Sequence, residues 1–286
     1  MIPSIPQPRA FRVTYAVYVA VFFVYLMAPL LVAAAFAFND SLFPSLPWNG
    51  FTLDWFFGDS EPRLGVFHDG ALIDSIGISA FVAFWVTLLA VGVGLCNAFL
   101  FERRTFPFRN LLYMLMLAPL VIPGVILGIS ILVFSNSIIN AIDGAFGIEL
   151  DALRPGLVLV VLGQFAFITT ITTLVISARL RKFDLSLEEA ALNLGATRMV
   201  AVWTVTIPYL KPALIGAGIV AFLMSFENFN TTLMLVGSDA PLTITMYDRL
   251  REGSTPVLNA VSLLLMVVSG GLALTSVFVQ RDPGGR

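Results

Sequence analysis

The residue whose type and setting most invite chemistry is Glu227. It is the one ionisable side chain inside the apolar run 212–238. A carboxylate at membrane depth is costly and persists where it faces a cavity or finds a partner. Read as helix, Asn230 and Thr231 stand three and four residues on and share its face. Asn228 and Thr232 flank it. The segment Glu227-Asn-Phe-Asn-Thr-Thr232 can then form a polar wall able to contact ammonium groups and hydrogen-bond donors. The competing reading is a carboxylate that bonds a neighbouring helix or is hydrated at the interface. Glu227 follows Pro208 by 19 residues. At about 1.5 Å per residue that is roughly 28 Å of helix, which places it in the outer part of the membrane.

A second constellation occupies residues 186–208, SLEEAALNLGATRMVAVWTVTIP. Ser186 and Glu189 have capping-box spacing, which predicts a helix starting at Leu187. Gly195 is placed to end that helix in a left-handed conformation. Leu187, Ala190, Ala191 and Leu194 share a face kept thin by alanine, suited to close approach to another surface. A second short helix is expected at about 197–204, and Pro208 fits the first turn of the span that follows. The unit reads as helix–turn–helix for insertion into a partner's groove. The competing reading, an amphipathic helix lying on the bilayer, is opposed by the acidic pair Glu188-Glu189 and the lack of bulky apolar residues on that face. No H-E-x-x-H, G-x-S-x-G or P-loop occurs, so no catalytic residue is assigned and ATP hydrolysis is not expected of this chain. Cys96 and His68 are each the only residue of their type, and no metal site is expected. His68 reads as a solvated loop residue.

These residues must be positioned by membrane helices. The 286-residue chain is 58% hydrophobic and 12% charged, against about 25% charged in soluble domains. Runs 13–38, 75–101, 110–142, 155–178 and 253–280 carry no charge, and 212–238 carries only Glu227. About 20 apolar residues span a bilayer, so six transmembrane helices and an all-α integral membrane fold are predicted, with residues 1–286 as a single membrane domain. The expected helices are 13–38, 73–101, one starting after Pro107, 155–178, 209–237 and 255–280. Run 110–142 is too long for one simple span, so part of it is expected in an outer loop. Pro119, Pro123, Gly124 and Gly128 predict a kinked or opened third helix, either lining a pathway or packing closely through the small pair. Gln164 and Thr169, Thr170, Thr172 and Thr173 read as polar glue between helices. Phe51–Phe57 is aromatic enough to sit at the membrane interface.

With the N-terminus inside, twelve Lys and Arg lie on the inner segments and four on the outer; the acids divide five inside and twelve outside, with Glu227 between. Both termini are therefore expected in the cytoplasm, together with the 186–208 unit. The first run is longer than the 7–15 residues of a signal h-region and is read as a retained helix. Basic residues are scattered, which gives no support to nucleic-acid binding.

Glu189-Ala190-Ala191, then Gly195, then Val205-Thr206-Ile207-Pro208 resembles the EAA loop of ABC importer permeases, with Val and Ile in place of the usual Ile and Leu. Residues 112–130, 186–237 and 241–266 are similar to the spermidine/putrescine-type permeases. The resemblance implies a type I importer fold, with coupling helices at about 184–206. It implies that Glu188, Glu189, Ala190, Ala191, Leu194, Gly195 and Pro208 serve coupling to the ATPase. From their own types and setting, Glu227, Asn228, Asn230 and Thr231 are read as a polar wall on the solute pathway, with Pro119 and Pro123 in the opened helix that lines it. Implied partners are a second homologous permease, most often a different chain so that a heterodimer forms, two ATP-binding subunits that hold ATP and Mg, and an external solute-binding protein, all at a bacterial-type inner membrane. No cofactor belongs to this chain. Many polyamine-type relatives carry two adjacent acids where this chain has Glu227-Asn228, which leaves open a monoamine or an amino-acid-like solute. A proton-coupled secondary transporter using Glu227 is the remaining alternative, in which the 186–208 unit has no role.

Overall fold

The computed structural model describes residues 8–148, 150–253 and 255–280. Arg281 and Arg286, Glu149 and Asp282, all counted for orientation, and residues 1–7 of the expected N-terminal tail lie outside them. Among the described residues the secondary structure is helical apart from one bridge, Asn39 with Phe51. The contacts divide the chain into two compact units. One ends at Gly70 and resumes over Arg249–Val267; the other comprises Ala71–Asp248 and resumes at Val268.

The first unit holds helix α1 (Arg9–Phe36) and the short α2 (Asp54–Phe57). No residue of α1 is buried, so its apolar surface needs lipid or another protein to cover it. The segment after α1 has its own small core. The Trp55 indole N–H donates to the Asn39 carbonyl at 2.8 Å, and Phe38 stacks on Phe51 and Phe56. This corrects the interfacial reading of Phe51–Phe57: Trp55 and Phe56 turn inward, whereas Phe51 and Phe57 stay exposed. Indole and phenyl rings bury more area in a core than at a headgroup layer, and Asn39 meets the one polar atom that Trp55 carries inward. Arg63 clamps Asp40 and Asp54. Its bond to Asp54 holds that carboxyl below the usual carboxylate range, aided by the Thr52 hydroxyl. Arg249 grips Asp69 through both guanidinium arms, at 2.5 and 2.9 Å.

The second unit contains α3 (Gly70–Arg103, from Ala71), α4 (Arg109–Val121), α5 (Gly124–Phe146), α6 (Leu157–Leu180), α7 (Ser186–Asn193), α8 (Arg198–Ala201), α9 (Ile207–Phe226), α10 (Thr232–Leu235) and most of α11 (Leu242–Glu252). The last helix, α12, runs over Pro256–Gln280. Among the described residues six helices are long and apolar enough to cross a membrane: α1, α3, α5, α6, α12 and the stretch Arg198–Phe226. The predicted third helix is split. Ile122 is extended and Pro123 caps α5, so the expected opening is present. The expected outer-loop share of 110–142 is not: α5 continues to Phe146. The proline break turns the surplus length into a second helix rather than into loop.

The centre of this unit is α6, which packs most extensively on α9. Its threonines behave as predicted. Thr172 donates to the Ala90 carbonyl at 2.7 Å, Thr170 to that of Met116 at 2.6 Å, and Thr173 to that of Thr169. The approach of α3 to α6 depends on Gly94, where a Cβ would meet Thr172 Oγ1 at 2.4 Å and the Thr173 backbone nitrogen at 3.1 Å. Gly92, two residues earlier, has open space. Gly94→Ala is expected to cost about 1–3 kcal/mol as an overpacked contact, seen as a lower melting temperature in detergent, and Gly92→Ala to be neutral. Equal melting temperatures for the two variants would contradict this packing.

Candidate functional site

Two sites emerge, one at each end of α9. The first is the 186–208 unit. Helix α7 begins at Ser186, one residue earlier than expected, and the predicted capping box does not form. Instead the Asp184 carboxylate accepts from the Ser186 N–H at 3.0 Å. That bond lowers the Asp184 pKa. Asp takes the role because it precedes the first free N–H groups and brings negative charge to the helix start. Gly195 ends α7 as predicted, at φ +93°. The Ala196 N–H reaches back to the Ala191 carbonyl at 3.1 Å and the Leu194 N–H to that of Ala190 at 3.1 Å.

The expected separate helix at 197–204 is corrected. Thr197 caps α8 through the Val200 N–H, and α8 then continues into α9 through a π-helical turn, Val202–Thr206. In that turn the Ile207 N–H donates to the Val202 carbonyl, five residues back. Pro208 lacks an N–H, and its ring needs room at the Thr204 carbonyl; the wider turn provides it.

The two acids of the loop divide. Glu188 points inward, binding both guanidinium arms of Arg103 at 3.2 Å and accepting a hydrogen bond from the Thr206 hydroxyl. Arg103 also lies over the Phe183 ring, which packs edge-on against Tyr209. Glu188 therefore ties α7 to the end of α3 and to the π turn. Glu189 and Ala190 are exposed, Ala191 is half-buried and Leu194 is 90% exposed. Pro208 sits in the first turn of α9.

The second site corrects the fifth span. It does not run to residue 237: α9 stops at Phe226 with Glu227 as its C-cap, and α10 starts at Thr232. Glu227, Asn230 and Thr231 therefore do not share a helical face. The cause is Asn228, whose side-chain oxygen accepts from both the N–H (3.2 Å) and the hydroxyl (3.0 Å) of Thr232 and so starts α10 in place of a continued helix. The Asn228 carbonyl accepts from Thr243 at 3.0 Å. Thr231 is buried against Gly124, while Glu227 and Asn230 are exposed. Glu227 accepts from the Ser269 hydroxyl of α12 at 2.6 Å.

The break in α4–α5 lies beside this one. A Cβ on Gly124 would meet that of Asn230 at 3.0 Å, and one on Gly128 that of Met234 at 2.9 Å. Pro119 is half-buried within α4, and Pro123 is exposed at the opening. Sequence reasoning missed the knot behind the break. Gln164, 1% exposed, donates to Thr232 at 2.8 Å and accepts from Ser225. Gln164 was visible as a polar residue in an apolar span, but its partners depend on the break. Ser269 and Arg103 carried no signal of their own.

A family model described as the binding-protein-dependent transport system inner membrane component matches residues 90–281. The chain belongs to this family. It is 30% identical over 250 residues to the putrescine transport system permease protein PotI of Escherichia coli K12, covering 87% of this chain and 84% of that protein. It is 25% identical to the spermidine/putrescine transport system permease protein PotC of Haemophilus influenzae, over 91% of this chain and 94% of the relative. Among solved structures, a bacterial alginate ABC transporter in complex with an alginate pentasaccharide-bound periplasmic protein matches with a TM-score of 0.70 at 16% identity, covering 95% and 94% of the two chains. That likeness concerns the fold. The permease is thus the multi-pass inner-membrane component of an ABC importer, and membership implies a partner permease, an ATPase and a solute-binding protein. The secondary-transporter reading of Glu227 is set aside.

The Glu188–Arg103 pair, with side chains about one-fifth exposed, generates a prediction. Removing one partner strands the other, at about 1–3 kcal/mol. Glu188→Ala and Arg103→Ala should each lower the melting temperature and uptake, and the double variant should be little worse than either. Glu189→Ala should leave the melting temperature unchanged. Fully additive losses would show that the pair does not act as a unit.

Proposed function

We propose that the permease forms half of the pathway for a small organic amine of the polyamine class and couples to a separate ATPase through residues 186–208. The observation that carries the solute class is likeness to a putrescine permease over 87% of the chain, in a chain with an exposed carboxylate at a helix break. Glu227 supplies charge and Asn230 hydrogen bonding. Asn228 and Thr231 shape the break, and Pro119 and Pro123 open the helix beside it. For coupling, Glu189, Ala190, Ala191, Leu194 and Gly195 present the docking face; Glu188 fixes that face to α3, and Pro208 fixes it to α9. ATP and Mg belong to the partner subunits. The second permease is a different chain, and an external binding protein delivers the solute. Both termini are cytoplasmic in this reading, which the excess of Lys and Arg on the inner segments supports.

Three measurements test this reading. Glu227→Gln should reduce putrescine uptake several-fold, since a charge-assisted hydrogen bond is worth about 1.5–3 kcal/mol and a neutral one about 0.5–1.5. Glu227→Asp should be milder, and basal ATPase activity of the assembled complex should not change. If Gln transports as well as Glu while Asp fails, charge is irrelevant and the amine assignment is lost. Gly195→Asp forces a Cβ into φ +93° and adds a charge on the docking face; insertion should be normal and ATP-driven uptake abolished. With Cys96, the only cysteine, replaced by serine, a cysteine at position 60 should react with an impermeant thiol reagent in intact cells. Labelling only after permeabilisation would reverse the orientation.

A further inference from the structure

The last turn of α3 and helices α7 and α8 border an open cavity of about 710 Å³ behind the Glu188–Arg103 pair, to which no ligand has been assigned above. Its lining is divided. Phe99, Leu100, Leu185 and Leu192 give apolar wall, and Arg103, Arg104 and Arg198 give cationic wall. Two acids also line it, and both are neutralised within the chain: Glu188 by Arg103 at 3.2 Å, and Glu102 by Arg181 at 2.8 Å. Arg104 and Arg198 are exposed and balanced by no acid of the lining. The cavity therefore carries two uncompensated positive charges beside an apolar surface. It lies where the charge-free run of α3 gives way to Glu102-Arg103-Arg104, the depth at which lipid headgroups begin. Trp203, 63% exposed, follows the cavity wall at the start of the π turn, and indole prefers that same depth.

From the joined apolar and cationic walls we infer that this cavity binds the headgroup of an anionic phospholipid, with the phosphate between Arg104 and Arg198 and an acyl chain along Leu100 and Leu185. Basic pockets between membrane helices take anionic headgroups in this way. A free phosphate meets the same guanidinium groups but leaves the apolar wall uncovered. The lipid bridges α3 to the loop that α7 and α8 form, so it braces the coupling unit from the membrane side, independently of which solute is carried.

The test uses the purified permease complex with its ATPase, in phosphatidylethanolamine nanodiscs with and without phosphatidylglycerol. Native mass spectrometry counts retained phosphatidylglycerol, and a thermal melt reads its effect. Each arginine near an anionic surface contributes about a fivefold preference. Arg104→Gln with Arg198→Gln should weaken phosphatidylglycerol retention by about 25-fold and remove its thermal protection. The doubly Lys-substituted variant should keep both, which separates lost charge from lost folding. Lys182→Gln, outside the cavity, should behave as wild type. Unchanged retention in the double Gln variant overturns the proposal. So does equal protection of wild type by inorganic phosphate, which would make the site one for a free anion, and so does loss of the lipid when the ATPase assembles, which would give the cavity to that subunit.

Discussion

The second unit depends on the side chain of Gln164. A helix that stops inside a membrane leaves backbone groups that lipid cannot satisfy, each at a cost of several kcal/mol. The α9–α10 interruption survives because Gln164 holds the last turn of α9 through Ser225 and the first residue of α10 through Thr232. Asn228 serves the Thr232 N–H, Thr243 serves the Asn228 carbonyl, and Ser79 accepts from the Leu242 N–H at 2.8 Å. With these partners in place Glu227 can stand at a helix end rather than on a helix flank. Its carboxylate then needs only one partner from the chain, Ser269.

Charge is handled in the same manner at the other end of α9. The two half-buried acids there are each paired within the chain: Glu188 with Arg103, Glu102 with Arg181. The groups left outward on α7 are small or apolar, apart from Glu189 and Asn193. A thin exposed face on a helix whose inward acid is already paired suits close approach by a partner, because little bound charge is then displaced on that face. The hydrogen bond that Arg181 donates to Glu102 raises the Arg181 pKa further.

Composition and periodicity were enough for the spans, because twenty apolar residues in lipid allow few solutions. Each of the six regions holds a membrane-length helix, though the third is split and the fifth stops at Phe226, and the Gly195 turn and the threonine contacts of α6 stand where the residue types placed them. The misses share one cause. Helix ends inside a membrane are decided by partners far along the chain, so an apolar run such as 212–238, with Glu227 its single charge, reads as one helix until Gln164, Ser79 and Thr243 are seen around it. Likewise Ser186 and Glu189 have the spacing of a capping box, but Arg103, 85 residues from Glu188, helps to fix how α7 lies, and Asp184 takes the cap. The surplus of 110–142 went to helix because Pro123 sets a new start rather than an end.

The π turn at Val202–Thr206 has a consequence for timing between the two ends of α9. Arg198–Phe226 is one continuous rod, carrying the loop at one end and the Glu227 break at the other. In such a rod the angular phase between its ends is set by the residue count, about 100° per residue. The wide turn absorbs one extra residue, so it acts as the indexing notch of a crankshaft. Lengthening or shortening the chain there by a single residue would leave every contact type available and turn the two ends a quarter-revolution out of step.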